Sequence, residues 1–139
     1  MEALDMPGHL IRRLNQLSTQ VFAARMRAIG IDLTPVQFAA LDAIRATPGL
    51  DQAGIAAMIA YDRATIGGVI ERLLQKGYVE RTVSARDRRA REITMTKAGE
   101  AAYTRILPVV RDLQSDILSS LSEDEAQHLV SLMKKVVGA

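Results

Sequence analysis

Residues 78–96, YVERTVSARDRRAREITMT, place two short alternating stretches on either side of a run of arginines. YVERTV and EITMT alternate apolar and polar side chains, a pattern that predicts the two strands of a hairpin. Between them, residues 85–91 hold four arginines and one aspartate, with no apolar side chain larger than alanine. The sequence therefore predicts a β-hairpin whose tip carries a concentrated positive charge.

The composition indicates a single globular domain. The chain has 139 residues, of which 48% are hydrophobic and 24% charged, so it can bury a core. Cysteine is absent, which excludes a disulfide framework and a thiolate metal site. No apolar run is long enough to span a membrane, and residues 1–10 lack a signal-peptide pattern. We therefore expect a cytoplasmic protein with no membrane partner.

Positive charge is unevenly distributed, although the formal net charge is only +2. Residues 61–97 contain nine basic and five acidic residues, whereas the rest of the chain contains nine and eleven. Arginine supplies 14 of the 18 basic residues, and its planar guanidinium suits phosphates and guanine edges. This segment has the charge of a nucleic-acid-binding surface, and an ordinary solvated face is the plainer alternative.

Helical spacing of apolar residues, with clear stop signals, divides the remainder into helices. The predicted helices cover residues 9–29, 35–46, 52–60, 62–76, 97–120 and 123–137. Gly30 and Gly77 are expected to end the first and fourth of these helices. The expected N-caps are Thr34, Asp51, Asp62, Thr96 and Ser122, the last with Glu125 as a capping box. Pro108 predicts a kink in the long helix.

Two short helices joined by a tight turn and followed by a basic hairpin predict a winged helix-turn-helix. The expected fold class is mainly α with a small β-hairpin. Residues 34–96 form the DNA-binding lobe, and residues 8–30 and 97–138 form a helical dimerisation domain. In this motif the second helix enters the major groove, so the hairpin tip lies beside the minor groove, whose negative potential attracts arginine.

Candidate DNA contacts lie on the fourth predicted helix and on the hairpin tip. They are Arg63, Ala64, Thr65, Gly68, Arg72, Arg86, Asp87, Arg88, Arg89 and Arg91. Arg88 or Arg89 is expected to enter the minor groove, and the other tip arginines to contact phosphates. Asp87 is expected to hold the Arg89 guanidinium in a fixed pose.

Structural alternatives stay open for several of these candidates. Adjacent Gly67 and Gly68 are unfavourable in a helix interior, so they indicate either close approach of DNA or close helix packing. Arg63 also fits a surface salt bridge, and Arg72 also fits an ion pair with an acidic neighbour.

Residues 71–99, ERLLQKGYVERTVSARDRRAREITMTKAG, resemble the multiple-antibiotic-resistance regulator (MarR) family of bacterial transcription factors. The shared pattern is arginine-leucine, lysine-glycine before the first strand, Asp-x-Arg at the tip, and threonine-x-x-glycine at the next helix. The order of helices is also similar over nearly the whole chain. The resemblance implies a homodimer with interleaved first and last two helices. It also implies a palindromic double-stranded DNA operator that is usually released when a small ligand binds.

A polar stripe on the first predicted helix is the candidate effector site. His9, Arg13, Gln16 and Gln20 recur at helical spacing, with Arg12 adjacent, and a cationic Arg13 suits a carboxylate. Residues 8–16, GHLIRRLNQ, resemble the start of family members that sense aromatic acids or their thioesters. The candidate ligand contacts are His9, Arg12, Arg13, Gln16, Phe38 and Tyr61, with Met58 as a further apolar wall. A solvated face, and core packing of Phe38 and Met58, are the alternatives.

Other classes of function fit the sequence less well. His9 and His128 are far apart and lack metal-ligand spacing. The sequence also contains no cysteine, no glycine-rich phosphate loop and no pair of carboxylates on an obvious cleft. We therefore expect no enzyme activity, no metal and no cofactor. The competing hypothesis is a DNA-binding regulator without a small ligand, controlled by a partner protein or by its own abundance.

Overall fold

The computed structural model describes residues 1–139 and contains six α-helices and one two-stranded sheet. A short 3-10 helix, Glu2–Asp5, comes first. The α-helices are α1 (Pro7–Ala28), α2 (Pro35–Ala46), α3 (Gln52–Met58), α4 (Ile66–Gln75), α5 (Lys97–Ile117) and α6 (Glu123–Val137), and the strands are β1 (Val79–Val83) and β2 (Arg91–Met95). This arrangement confirms the predicted mainly α fold with a small hairpin. None of the helices combines the length and the apolar character needed to cross a membrane.

Most helix starts follow from local capping, as predicted. The Thr34 side chain accepts a hydrogen bond from a backbone N–H in the first turn of α2 at 3.2 Å. Asp51 accepts one at the start of α3 at 2.7 Å, and Ser122 and Glu125 form the expected capping box of α6. These bonds satisfy backbone donors that have no partner within the helix.

The start of α4 differs from the prediction, which placed it at Asp62. The Asp62 carboxylate accepts hydrogen bonds from the Ala64 N–H at 3.3 Å and from the Thr65 hydroxyl at 3.2 Å. The Asp62 carbonyl accepts from the Thr65 and Ile66 N–H groups. These bonds hold residues 62–65 in a turn, because short polar side chains compete for nearby backbone donors. Asp62 therefore stabilises the turn before α4, and the N-cap residue is Thr65.

Other helix bounds also shift. α1 begins at Pro7, two residues before the predicted start at His9, since the fixed φ of proline suits the first helical turn. α3 ends at Met58 and α5 at Ile117, both earlier than predicted. Pro108 lies inside α5, where a kink stays a prediction.

The two strands of the hairpin are antiparallel, and β2 also pairs with a residue outside the hairpin, which the sequence pattern did not predict. Val79 pairs with Met95 and Val83 with Arg91. Leu50, which lies between α2 and α3, forms an isolated bridge with Ile93, and the Ile93 N–H donates to its carbonyl at 2.8 Å. This bridge attaches the wing, defined here as residues 79–95, to the helix-turn-helix.

One continuous hydrophobic core joins every α-helix except α6. Its buried members come from α1 to α5 and from both strands. Arg25 of α1 donates to Asp112 and Asp116 of α5 at 2.5 and 2.6 Å, which fastens these two helices together. By contrast, α6 has no buried residue, and most of its apolar side chains are exposed within this chain.

Candidate nucleic-acid interface

The recognition surface consists of α4 and the turn of residues 62–65 before it. The apolar side of α4 is buried through Ile66, Val69, Ile70 and Leu73. The other side is exposed and carries Arg63, Ala64, Thr65, Gly68 and Arg72, followed by Glu71 and Gln75 in the later turns. The buried side fixes the helix on the core and leaves the bare side available for contact.

Gly68 has no packing neighbour within this chain. A Cβ atom built on Gly68 would have no heavy atom within 4 Å, whereas one on Gly67 would lie 3.3 Å from the Gln52 side-chain nitrogen. Helix packing therefore does not explain Gly68. A helix surface without a side chain at this point allows another molecule to approach the backbone closely.

Neither basic residue of the recognition surface is engaged by an acid. The six ion pairs of the chain involve neither Arg63 nor Arg72. The surface salt bridge considered for Arg63 and the ion pair considered for Arg72 are therefore not formed. Both guanidinium groups keep all their donors available.

The wing tip, residues 84–90, is held in shape by two side chains. Buried Ser84 accepts hydrogen bonds from the Arg86 N–H at 3.2 Å and the Asp87 N–H at 3.3 Å. Asp87 accepts one from the Arg89 N–H at 3.0 Å. The loop is thus a set of side-chain-supported turns. Sequence reasoning missed Ser84, although its position directly after an alternating strand is typical of such a turn.

The arginines of the wing are presented to the outside. Arg86, Arg88, Arg89 and Arg91 are all exposed. The Arg89 guanidinium lies 3.6 Å from the Asp87 carboxylate and its side chain is 95% exposed. Asp87 therefore fixes the backbone of the loop and also pairs with the Arg89 guanidinium, so its positioning of that side chain stays a prediction.

The wing and the recognition surface meet at the start of α3. Gln52, which lies against Gly67, lines a cavity of about 410 Å³ together with Arg81, Arg89 and Arg91. Basic side chains of the wing and the bare side of α4 therefore form one continuous surface. Its shape and charge suit a polyanion with grooves.

The candidate effector residues do not come together within one chain. Arg13 and Gln16 share a cavity of about 470 Å³ on α1 with Gln20, lined also by leucines. His9 and Arg12 lie on the same helix but do not line this cavity. The stripe is therefore only partly assembled.

The proposed apolar walls of the effector site lie elsewhere. Phe38 stacks on Tyr103 with ring centroids 5.9 Å apart and contacts Phe22 at 6.5 Å, so it belongs to an aromatic stack joining α1, α2 and α5. Tyr61 follows α3, and Met58 is exposed at its end. Core packing explains Phe38, and the exposed Met58 is not a core residue.

The chain is similar in sequence to known transcriptional regulators, which agrees with a DNA-binding role for this surface. The model of the MarR family matches residues 31–90. The HTH-type transcriptional repressor NicR of Pseudomonas putida is 29% identical over 136 residues, covering 98% of this chain and 85% of that protein. The transcriptional regulator HosA of Escherichia coli O157:H7 is 30% identical over 129 residues, covering 93% of each. The chain belongs to the MarR family.

Solved structures of other proteins are similar to this MarR-family protein over nearly its whole length. A probable transcriptional regulator from Pseudomonas aeruginosa is 32% identical with a TM-score of 0.87, over 95% of this chain and 97% of that one. Bordetella bronchiseptica BpsR, whose DNA binding is regulated by 6-hydroxynicotinic acid, is 28% identical with a TM-score of 0.86, over 96% and 94%. The repressor CouR, bound to a 23-mer DNA duplex, is 26% identical with a TM-score of 0.87, over 98% and 95%.

These similarities establish the general class of activity. This MarR-family protein is a DNA-binding transcriptional regulator and not an enzyme. The recognition surface and the wing are the parts of the chain whose shape and charge suit that activity.

Proposed function

We propose that this MarR-family regulator is a repressor that binds a pseudo-palindromic operator as a homodimer in the cytoplasm. A small aromatic carboxylate or its thioester releases it. Residues 34–96 bind DNA, and residues 8–30 and 97–138 dimerise. The observation that carries the DNA part is the bare, exposed side of α4 next to an ordered, arginine-rich wing.

Each part of the DNA surface has its own contact. Ala64, Thr65 and Gly68 let α4 approach base edges, and Arg63 and Arg72 contact phosphate or guanine. Arg88 or Arg89 enters the minor groove, with Arg86 and Arg91 on phosphates and Asp87 supporting the loop. Phosphate contacts dominate, so affinity falls steeply as salt is raised.

Unpaired apolar side chains support the homodimer. Leu10, Ile11 and Leu17 are 44–62% exposed on α1. On α6 the exposed apolar residues are Val130, Leu132, Met133, Val136 and Val137. A cavity of about 350 Å³ between α1, α5 and α6 has six apolar lining residues, among them Ile11 and Met133. A symmetric second copy buries such a surface in most soluble oligomers.

The effector proposal rests on the cationic stripe of α1 and on similarity to BpsR. Arg13 offers a charge-assisted bond to a carboxylate, and Gln16 adds a hydrogen-bonding neighbour in the same cavity. We propose that His9 and Arg12, on the same helix, complete the site when the partner subunit covers this face, whereas Phe38 is held in the aromatic stack and Tyr61 lies after α3. 6-Hydroxynicotinic acid, which regulates BpsR, is the first ligand to test.

One observation favours a second candidate, a regulator without a small ligand. Arg13 and Gln16 share a cavity, while Phe38 lies in the aromatic stack and Tyr61 follows α3. A partner protein or the protein's own abundance would then set operator occupancy. Thermal melting with a panel of aromatic acids separates the two, because a ligand of the native protein must raise the melting temperature.

A mobility shift on the DNA upstream of its own gene tests the whole proposal. The purified protein should shift this duplex, and 6-hydroxynicotinic acid or benzoic acid should reverse the shift. Arg13→Ala should keep operator binding and lose the response to acid, whereas Arg111→Ala, on exposed α5 surface, should keep both. Loss of operator binding in Arg13→Ala would assign Arg13 to DNA or to the fold.

A further inference from the structure

The inner face of the hairpin changes from apolar to cationic along its length. Residues paired across antiparallel strands point to the same side, so Arg81 lies on the same face as its partner Ile93, and Val83 on the same face as Arg91. Ile93 is buried at 1% exposure. The face that packs on the core at Ile93 therefore also carries Arg81 directly opposite Ile93, and Arg91 in the next pair on that face, nearer the tip.

These arginines converge on the cavity at the start of α3. Arg81, Arg89 and Arg91 line it on the wing side, and Asp51 and Gln52 on the helix side. Three like charges around one cavity of this size repel each other, and an anion between them removes that repulsion.

Three carboxylates, Asp51, Glu71 and Asp87, lie near these arginines and offset part of their charge without using all of their donors. Asp51 accepts the Gly54 N–H at 2.7 Å, which commits one of its oxygens to capping α3. Glu71 is 3.8 Å from the Arg81 guanidinium, and Asp87 is 3.6 Å from that of Arg89. Both of these ion pairs are long, so the guanidinium groups keep donors for another acceptor.

The position of the arginine-lined cavity indicates which anion binds there. Gln52 contacts Gly67 of α4 on one side and faces the wing on the other. A duplex whose major groove holds α4 and whose minor groove receives the wing tip passes a sugar-phosphate strand between these two elements. The cavity lies at that crossing.

We propose that Arg81, with Arg91 and Gln52, binds one backbone phosphate of the DNA strand that runs between the recognition surface and the wing. This inference rests on the proposed mode of DNA binding. It assigns a DNA contact to Arg81, which sequence reasoning had not selected, and makes that contact independent of base sequence. Glu71 lies 3.8 Å from the Arg81 guanidinium and brings an opposite charge from the recognition helix to the edge of the site.

Duplex binding by the full-length protein tests the site. Arg81→Ala should weaken binding to operator and to unrelated duplex by the same factor, about tenfold. The slope of log K against log salt should fall by about one unit. Arg111→Ala removes the same charge from exposed α5 and, once sedimentation shows that its dimer is intact, should leave both quantities unchanged. Unchanged binding by Arg81→Ala, or a loss confined to the operator, would overturn the proposal.

A second measurement separates a lost contact from a damaged fold. Arg81→Lys keeps the charge and should retain the salt slope, with a melting temperature equal to that of wild type. Neutral methylphosphonates placed one at a time in the operator should include a position that weakens wild type but adds no loss to Arg81→Ala. If every position weakens both proteins equally, no phosphate depends on Arg81 and the site is wrong.

Two further outcomes are informative. If inorganic phosphate alone raised the melting temperature of wild type but not of Arg81→Ala, while duplex binding stayed equal, the cavity would belong to a free anion and the proposal would fail. If wild type bound no duplex at all, the proposed function itself would fail. Normal duplex binding by wild type and by Arg81→Ala alike would remove only this site.

Discussion

Asp87 contacts Arg89 at two points, and the two contacts differ in strength. Its carboxylate accepts the Arg89 backbone N–H at 3.0 Å but lies 3.6 Å from the guanidinium. The first contact stabilises the loop, and it persists whatever side chain residue 89 carries. Asp87 is therefore expected to support the whole wing tip, including Arg88.

Substitutions at Asp87 separate this backbone role from simple charge. Asp87→Ala removes an acid from a DNA-facing loop, so electrostatics alone predicts tighter operator binding. Because the loop loses its turn, we expect weaker binding instead. Asp87→Asn keeps the acceptor in a residue that suits such turns, and should bind at least as tightly as wild type. Tighter binding by Asp87→Ala, measured by fluorescence anisotropy, would show that the wing is a plain cationic patch.

The double variant tests the same point. Arg89→Ala should weaken operator binding by about 1–3 kcal/mol if Arg89 enters the minor groove. Because the Asp87 hydrogen bond is to the backbone, Asp87→Ala combined with Arg89→Ala should bind more weakly than Arg89→Ala alone. Equal affinities for these two proteins would mean that Asp87 acts only through the Arg89 side chain.

Tyr103 joins the DNA-binding lobe to α5 and gives stability a pH dependence. Its hydroxyl donates to Asp42 at 2.5 Å, and the Arg45 guanidinium lies 4.7 Å from the ring centroid. Burial, and then the bond to Asp42, raise the pKa of Tyr103 above its usual value. A raised pKa stabilises the folded state below the pKa of the unfolded tyrosine, about 10, and this contribution is lost as pH rises further.

Tyr103→Phe should lower the free energy of unfolding by about 1–2 kcal/mol at neutral pH, because the ring stack remains and only the hydrogen bond is lost. The difference from wild type should shrink as pH rises above about 10. Urea titrations at fixed protein concentration measure both effects. Tyr78→Phe is the control, since no hydrogen bond of its hydroxyl is formed. A pH-independent difference would contradict the ionisation argument.

At the scale of elements, the junction between the hairpin and α5 depends on Gly99. The Thr96 N–H donates to the Tyr78 carbonyl at 3.0 Å. The Thr96 hydroxyl donates to the Gly77 carbonyl at 2.5 Å. This brings the first turn of α5 against the start of β1. A Cβ on Gly99 would overlap the Tyr78 carbonyl oxygen and lie 2.8 Å from the Met95 sulfur.

Gly99→Ala should destabilise the fold by at least about 2–3 kcal/mol, because the obstructing atom is backbone and cannot rotate away. Gly8→Ala is the matched control, since Gly8 lies in α1 with open space around it and alanine favours helix by about 1 kcal/mol. Thermal unfolding compares them. Near-wild-type stability of Gly99→Ala would mean that α5 is free to shift away from β1.

Gly68→Ala tests the bare side of α4. With no neighbour within 4 Å, the added methyl should stabilise the helix by up to about 1 kcal/mol. It should also weaken operator binding if DNA approaches the backbone there. A variant that melts higher and binds less would support close approach of DNA. Unchanged affinity would place Gly68 away from the duplex.

Local signals predicted most elements, and the misses came from contacts distant in sequence. Thr34, Asp51 and Ser122 cap helices through bonds to residues three positions on, so the sequence alone predicts them. The bridge between Leu50 and Ile93 joins residues 43 positions apart, so no local periodicity of the sequence predicts it. In the sequence pattern Arg81 is one of the polar residues of an alternating strand, and only the strand register shows that it lies opposite Ile93.

The candidate sites were predicted to different degrees for the same reason. Exposed small and basic residues of α4 and the wing follow from local periodicity. The effector stripe on α1 and its apolar walls were both predicted, but Phe38 is held in a stack with Phe22 and Tyr103 from two other helices. Assembly of that site depends on surfaces that one chain does not provide.

At the scale of the whole molecule, apolar and cationic surfaces lie in different places. Exposed apolar residues cluster on α1 and α6, whereas seven of the 14 arginines lie on the recognition surface and wing. A two-fold axis through α1 and α6 would bury the first set and present two copies of the second. Half-sites about one helical turn apart, roughly 34 Å, fit such a dimer.

Ile11 tests this arrangement, because its side chain is 62% exposed within one chain and should be buried in the dimer. Ile11→Glu leaves the core of the chain intact but puts a charge into the apolar interface, so we expect dissociation and loss of operator binding.

Sedimentation velocity should give wild type twice the mass of the 15.2 kDa chain at micromolar concentration. Met58→Glu, 52% exposed in the lobe, should remain dimeric. A wild-type monomer, or an Ile11→Glu dimer that binds the operator normally, would place the interface elsewhere and leave the apolar side chains of α6 unexplained.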